Sequence, residues 1–121
     1  MNSNDFNRVQ HIILYCKYVE NAIRRFGNDL ETFLNDVDYQ HSVAMSIMQI
    51  GELSIGLSDE FKNSTKEQMQ WGLIRGMRNL LAHTYSQTEK PTIWEVATKD
   101  VPSLLQFCNR VVAEKNSRKN S

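Results

Sequence analysis

The residues best equipped for chemistry lie together in Met77-Arg78-Asn79-Leu80-Leu81-Ala82-His83-Thr84-Tyr85. Arg78, His83 and Tyr85 bring a cation, an imidazole and a phenol into one short stretch. An imidazole titrates near neutrality and can carry a proton in either direction. A guanidinium stays charged and offers a planar fork to a phosphate or a carboxylate. No acidic residue occurs from Gln68 through Gln87, whereas Arg75 and Arg78 do, so the segment is locally basic. A plainer account exists for the same residues. Arginine and histidine near a helix C-terminus complement its dipole and bond its last carbonyls, and Tyr85 can pack over that end.

Helices must hold these side chains, and the apolar spacing supplies them. Phe6, Val9, Ile12, Ile13, Cys16, Val19, Ile23 and Phe26 recur at intervals of three and four, predicting a first helix from Asp5 to Phe26 that stops at Gly27. Asn28-Asp29-Leu30-Glu31 reads as a capping box for a short helix to about Asn35. Asp38 is then expected to cap a core helix from Tyr39 to about Leu57, where Gly51 permits close helix contact. Thr65-Lys66-Glu67-Gln68 is a second box, opening the helix that carries the chemical stretch. Met69, Leu73, Met77 and Leu80 form the expected inward stripe of that helix, flanked by Ile74 and Leu81. Thr92-Ile93-Trp94-Glu95, after Pro91, predicts a short helix to about Lys99; Asp100 then caps a last helix from Val101 to about Glu114. No strict apolar alternation persists long enough for a strand. The expected fold is all-α, an up-and-down bundle of four main helices plus one or two short ones.

The helical frame also exposes a geometric demand. On an ideal helix Arg78 and Tyr85 point within about 20° of each other, whereas His83 is rotated about 140° from Arg78. The arginine and the histidine meet only if the helix has unwound by His83, or if they meet across a partner subunit.

Composition narrows the classes. The chain has 121 residues, enough for one core, with 14 basic and 14 acidic side chains and so no net charge. Nucleic-acid binding therefore needs a local patch, and charge alone favours a solvated helix face with two arginines. The uncharged run His41 to Gly51 is too short and too polar to cross a bilayer. The N-terminal Met-Asn-Ser-Asn-Asp has no basic region with an apolar stretch behind it, which predicts no secretory signal and a cytoplasmic address. Cys16 and Cys108, each in an apolar helical register, are expected as buried free thiols. His11, His41 and His83 are widely separated, with no Glu-x-x-His pattern, so no metal site and no cofactor are expected.

A series of motifs spans most of the chain. Gln49-x-Gly51-Glu52 is followed by Trp71, Gly76-Met77-Arg78-Asn79, Ala82-His83-x-Tyr85, Ile93-Trp94 and Val101-Pro102-x-Leu104. In order and spacing the series resembles the HEPN superfamily, in particular its HepT-like bacterial toxins. That resemblance implies one HEPN-like helical domain over residues 1–115, with 116–121 a disordered tail. It also implies a metal-independent endoribonuclease in which Arg78 and His83 form the active site, between two protomers of a homodimer. Asn79 and Arg75 would position the RNA substrate, Asn79 by a further hydrogen bond. The implied partner is a minimal nucleotidyltransferase antitoxin that inhibits the toxin by adding AMP to Tyr85, alone or in a higher assembly. A catalytically inactive HEPN subunit that merely binds such a nucleotidyltransferase is the alternative. Thr84 and Ser86-Gln87-Thr88-Glu89 depart from the family pattern, which bears on how substrate is placed rather than on the fold.

Overall fold

Most helices begin where the sequence supplies an oxygen for a free backbone N–H. The computed structural model describes residues 1–84 and 89–119, with Leu80, His83, Thr84 and Lys119 described by backbone alone. Seven helices result: α1 (Ser3–Phe26), α2 (Leu30–Leu34), α3 (Val37–Ile55), α4 (Asp59–Ser64), α5 (Trp71–Thr84), α6 (Lys90–Glu95) and α7 (Val101–Lys119). Side-chain oxygens of Asn2, Asp29, Asp36 and Ser58 accept from the N–H groups of Asp5, Thr32, Tyr39 and Phe61. Asp36, rather than the expected Asp38, therefore caps α3. Gly27 ends α1 at φ 122°, a conformation in which a Cβ is strained.

The architecture is the expected all-α bundle, with no strand among the described residues and three short helices where one or two were expected. Packing centres on α3, which lies along α1 on one side and carries α5 on another, while α7 covers α1. Val9, Ile12, Cys16 and Val19 of α1 meet Val43, Ile47 and Ile50 of α3 and Leu104, Phe107 and Cys108 of α7 in one buried core. Phe33, Tyr39 and Trp94 close its far end through edge and tilted ring contacts, and Tyr39 donates its hydroxyl to the Gly27 carbonyl at 2.9 Å. The buried Asp5 carboxylate accepts from both the N–H and the hydroxyl of Ser58, tying the start of α4 to α1.

Three expectations are corrected. The box at Thr65 starts no helix, because that residue closes α4 instead. Its hydroxyl donates to the Phe61 carbonyl at 2.8 Å and accepts the Trp71 indole N–H at 2.9 Å, so α5 begins only at Trp71. The last two helices are not separately capped. A π turn over Val96–Asp100 joins α6 to α7, with the Val101 N–H bonded to the Val96 carbonyl. Pro102 follows directly, lacks an N–H and crowds the carbonyl four residues back, and a wider turn relieves both. The last helix also runs beyond Glu114, to Lys119.

The third correction concerns which side of α5 faces inward. Trp71, Ile74 and Leu81 are buried, whereas Leu73, placed on the expected inward stripe, is 69% exposed and Met69 and Met77 are half-buried. Trp71 stacks edge-on against Phe107 and tilted against Phe61. Anchoring that indole turns α5 by about a third of a revolution from what its aliphatic spacing suggests.

Both thiols are free and fully buried, as expected. Burial pushes Cys108 up from 9.0 to about 12, and Cys16 higher still. Because the folded state favours the neutral thiol, its stability is intact below pH 9.0 and is lost as the pH rises towards 12. Each thiol should cost the fold about 1.4 kcal/mol per pH unit in that window. Urea denaturation at about pH 8 and about pH 10.5 measures this, and Cys16→Ala should flatten the slope.

Candidate active site at the contact of α3 and α5

Arg78 is fixed from three directions. A Cβ placed on Gly51 would collide with Cβ and Cγ of Arg78, so the arginine stem lies directly on the backbone of α3. The next residue of α3, Glu52, takes the head group. Arg78 Nε donates to Glu52 Oε1 at 2.7 Å, and Nη2 lies 2.5 Å from the same oxygen. Arg78 Nη1 donates to Asn79 Oδ1 at 2.9 Å. A guanidinium has five N–H groups, and the partners found among the described residues take three of them, on Nε, Nη1 and Nη2. The Glu52 side chain is 49% exposed, so the pair is largely screened and contributes orientation more than stability.

The structure thus joins Arg78 and Asn79 and leaves Arg75 apart. Arg75 is exposed and lines a separate shallow cleft with Gly72, Asp59 and Lys62. The backbone of α5 stays helical through Thr84, so position 83 remains about 140° around the axis from position 78. Of the two conditions for Arg78 and His83 to meet, unwinding of the helix by position 83 is therefore not met. The side chain of His83 and all of Tyr85 lie outside the described residues.

Glu52 is the partner of Arg78 that sequence reasoning left without a role. It was visible beside Gly51 on a core helix, but the basic run around Arg78 contains no acid of its own. Only the α3–α5 contact shows that a carboxylate from elsewhere answers that charge. Among the described residues no three His, Cys, Asp or Glu side chains gather as a metal-binding group. No helix among them is long and apolar enough to cross a membrane.

Known proteins match this chain along most of its length. The family described as "Ribonuclease HepT-like" matches residues 15–111, which include Gly51, Glu52, Arg78 and His83. The chain belongs to the HepT-like ribonuclease family. Three curated relatives carry names that mark them as candidate ribonucleases. One from Caldanaerobacter subterraneus subsp. tengcongensis is 29% identical over 96 residues, covering 79% of this chain and 83% of the relative. One from Methanocaldococcus jannaschii is 27% identical over 87 residues, covering 64% of this chain and 79% of the relative. A third, from Thermococcus cleftensis and named for HepT, is 32% identical over 74 residues, covering 61% of this chain and 66% of the relative. No solved structure gives a significant match.

If Arg78 serves RNA cleavage in this HepT-like chain, the grip of Glu52 on it has a measurable consequence. Glu52→Ala frees the guanidinium and should lower kcat for RNA cleavage by about tenfold to a hundredfold, with KM little changed. Glu52→Gln keeps an oxygen for Nε and should recover most of the rate. Equal loss in both variants would mean that negative charge, not orientation, is what Glu52 provides.

Proposed function

We propose that this chain is a metal-independent endoribonuclease toxin, active as a homodimer and held in check by a small nucleotidyltransferase antitoxin. The observation that carries the reading is the clamp on Arg78, seated on Gly51 and gripped by Glu52 and Asn79, which fixes a guanidinium whose planar fork suits a phosphate. His83 removes the proton of a ribose 2′-hydroxyl, whose oxygen attacks the adjacent phosphorus. The P–O2′ bond forms, the P–O5′ bond breaks, and the imidazolium returns its proton to the departing 5′ oxygen. Arg78 binds the phosphate as charge accumulates on it, and Asn79 holds the arginine in place. The products are a 2′,3′-cyclic phosphate and a 5′-hydroxyl.

A second protomer supplies the missing half of each site. Gly72, Gly76 and Asn79 share the exposed side of α5 with position 83. A Cβ at either glycine would meet nothing within 4 Å, which leaves bare backbone for another helix to approach. Leu73 stands exposed beside them. Two α5 helices crossing there in antiparallel fashion would set position 83 of each against the other helix, with the Arg78 head group reaching the edge of the contact beside Asn79. AMP attached to Tyr85 would place an anion in the groove, with Arg75 the cation most free to pair with it.

Purified protein should cut single-stranded RNA in excess EDTA and leave a strand with 2′-deoxy residues intact. Expression should arrest growth, and co-expression with the neighbouring nucleotidyltransferase should relieve the arrest with AMP mass on the Tyr85 peptide. Cleavage that stops in EDTA overturns the metal-independent chemistry. An unmodified Tyr85 in relieved cells overturns the mode of inhibition, and absence of both cleavage and arrest favours a silent binding subunit.

A further inference from the structure

The outward face of α1 departs from the neutral balance of the chain. Every exposed position from Asn7 to Arg25 on this helix is neutral or basic, although the whole chain carries equal numbers of acids and bases. Lys17, Arg24 and Arg25 all lie on that face, and none of the three makes an ion pair among the described residues. Arg24 donates only to the neutral Asn21 amide at 2.8 Å, and the Arg25 guanidinium lies 5.7 Å from the centre of the Phe26 ring. Arg24 and Arg25 complement the C-terminal dipole of α1, but Lys17 sits about two turns earlier and does not. Glu20, four residues before Arg24, is half-buried and lines a cleft with Arg24, Ala97 and Thr98, but makes no ion pair with it.

Aromatic surface is interleaved with this charge. Tyr18 is 47% exposed and Leu14 41% exposed, an unusual apolar presence amid cations. Tyr15 meets Tyr18 edge to face, with centroids 5.6 Å apart and planes at 81°, which steadies the exposed ring. Unpaired cations along a helix beside a steadied aromatic ring are the features that bind single-stranded nucleic acid, through phosphate contacts and base stacking. A folded acidic protein would be met by the charge but would give Tyr18 no base to stack on.

Resting on the ribonuclease reading, we propose that this face of α1 is a binding track for single-stranded RNA outside the cleavage site. Lys17, Arg24 and Arg25 contact phosphates and Tyr18 stacks on a base. The helix that carries the track packs through its buried face on α3, and α3 in turn packs against α5, which carries Arg78. The track is therefore a surface apart from the cleavage site, and it governs how tightly RNA binds rather than how fast it is cut.

The test uses the full chain and a fluorescent, 2′-O-methylated RNA of about 16 nucleotides, which binds but cannot be cleaved. Lys17→Gln/Arg24→Gln/Arg25→Gln should weaken binding at least about tenfold at low salt and flatten the dependence on log salt by about two. Tyr18→Ala should weaken it about fivefold or more at every salt concentration. A charge-matched control, Lys66→Gln/Lys99→Gln/Arg110→Gln, should stay close to wild type. With cleavable RNA the α1 variants should raise KM and leave kcat unchanged, while circular dichroism confirms their helix content. Retained affinity in the α1 triple variant, or an equal loss in the control, overturns the track alone. Equally tight binding to poly-glutamate assigns the face to an acidic protein and also overturns it. No binding by the wild type overturns the ribonuclease reading together with the track.

Discussion

Mixing Arg78→Ala protein with His83→Ala protein should restore roughly a quarter of wild-type RNA cleavage, as expected for a two-fold dimer with shared sites. Each variant alone should fall by about 10²–10⁴-fold, the range for removing a positioned proton carrier or a charge-stabilising donor. The rescue follows from the continuity of α5. Because the helix is intact through Thr84, positions 78 and 83 diverge by about 140° within one chain. If each site takes its arginine from one protomer and its histidine from the other, a mixed dimer keeps one whole site and loses the second. Random re-pairing makes half of the dimers mixed, which gives the quarter. A site built within one chain predicts no rescue at all. Cleavage of a labelled RNA after the two variants are unfolded and refolded together distinguishes the outcomes.

Gly51→Ala should be the most damaging single methyl group that can be added to the core. The new Cβ would fall on the Cβ and Cγ of Arg78, and neither is the free end of a flexible chain. Relief requires α5 to move away from α3, carrying Arg78 from Glu52 and loosening Ile74 and Leu81 in the core. Overpacking of this kind costs about 1–3 kcal/mol, or a fall in Tm of about 4–8 °C for each kcal/mol lost. Displacing the guanidinium by about 1 Å costs catalysis a further factor of about a hundred. Thermal unfolding and kcat, measured on the same preparation, should therefore fall together. A stable, fully active Gly51→Ala protein would show that the arginine does not depend on this contact.

Much of the frame was legible because it rests on local rules. The three- and four-residue spacing from Val9 to Val19 has one reading, a buried helix face, and Val9, Ile12, Cys16 and Val19 are buried, with Ile13 partly so. Gly27 marked the end of α1 because few other residues accept its backbone conformation. Caps were less certain, since Asp36 and Asp38 both stand at the start of α3 and only the turn from α2 decides between them. Thr65 has the chemistry of an N-cap, but its hydroxyl was claimed by the Phe61 carbonyl and the Trp71 indole, both brought to it by packing.

The sequence by itself determined the helical class and the family, because periodicity, capping chemistry and motif spacing are properties of neighbours along the chain. Tertiary structure alone decided which side of α5 faces inward, that Glu52 holds the arginine, and that no unwinding brings position 83 towards position 78. Those outcomes depend on residues far apart in the chain meeting in space: an indole anchored on Thr65 and Phe107, and a glycine opposite an arginine stem. A helix records its own apolar stripe, but its rotation in a bundle is set by its largest anchored side chain and its closest backbone contact.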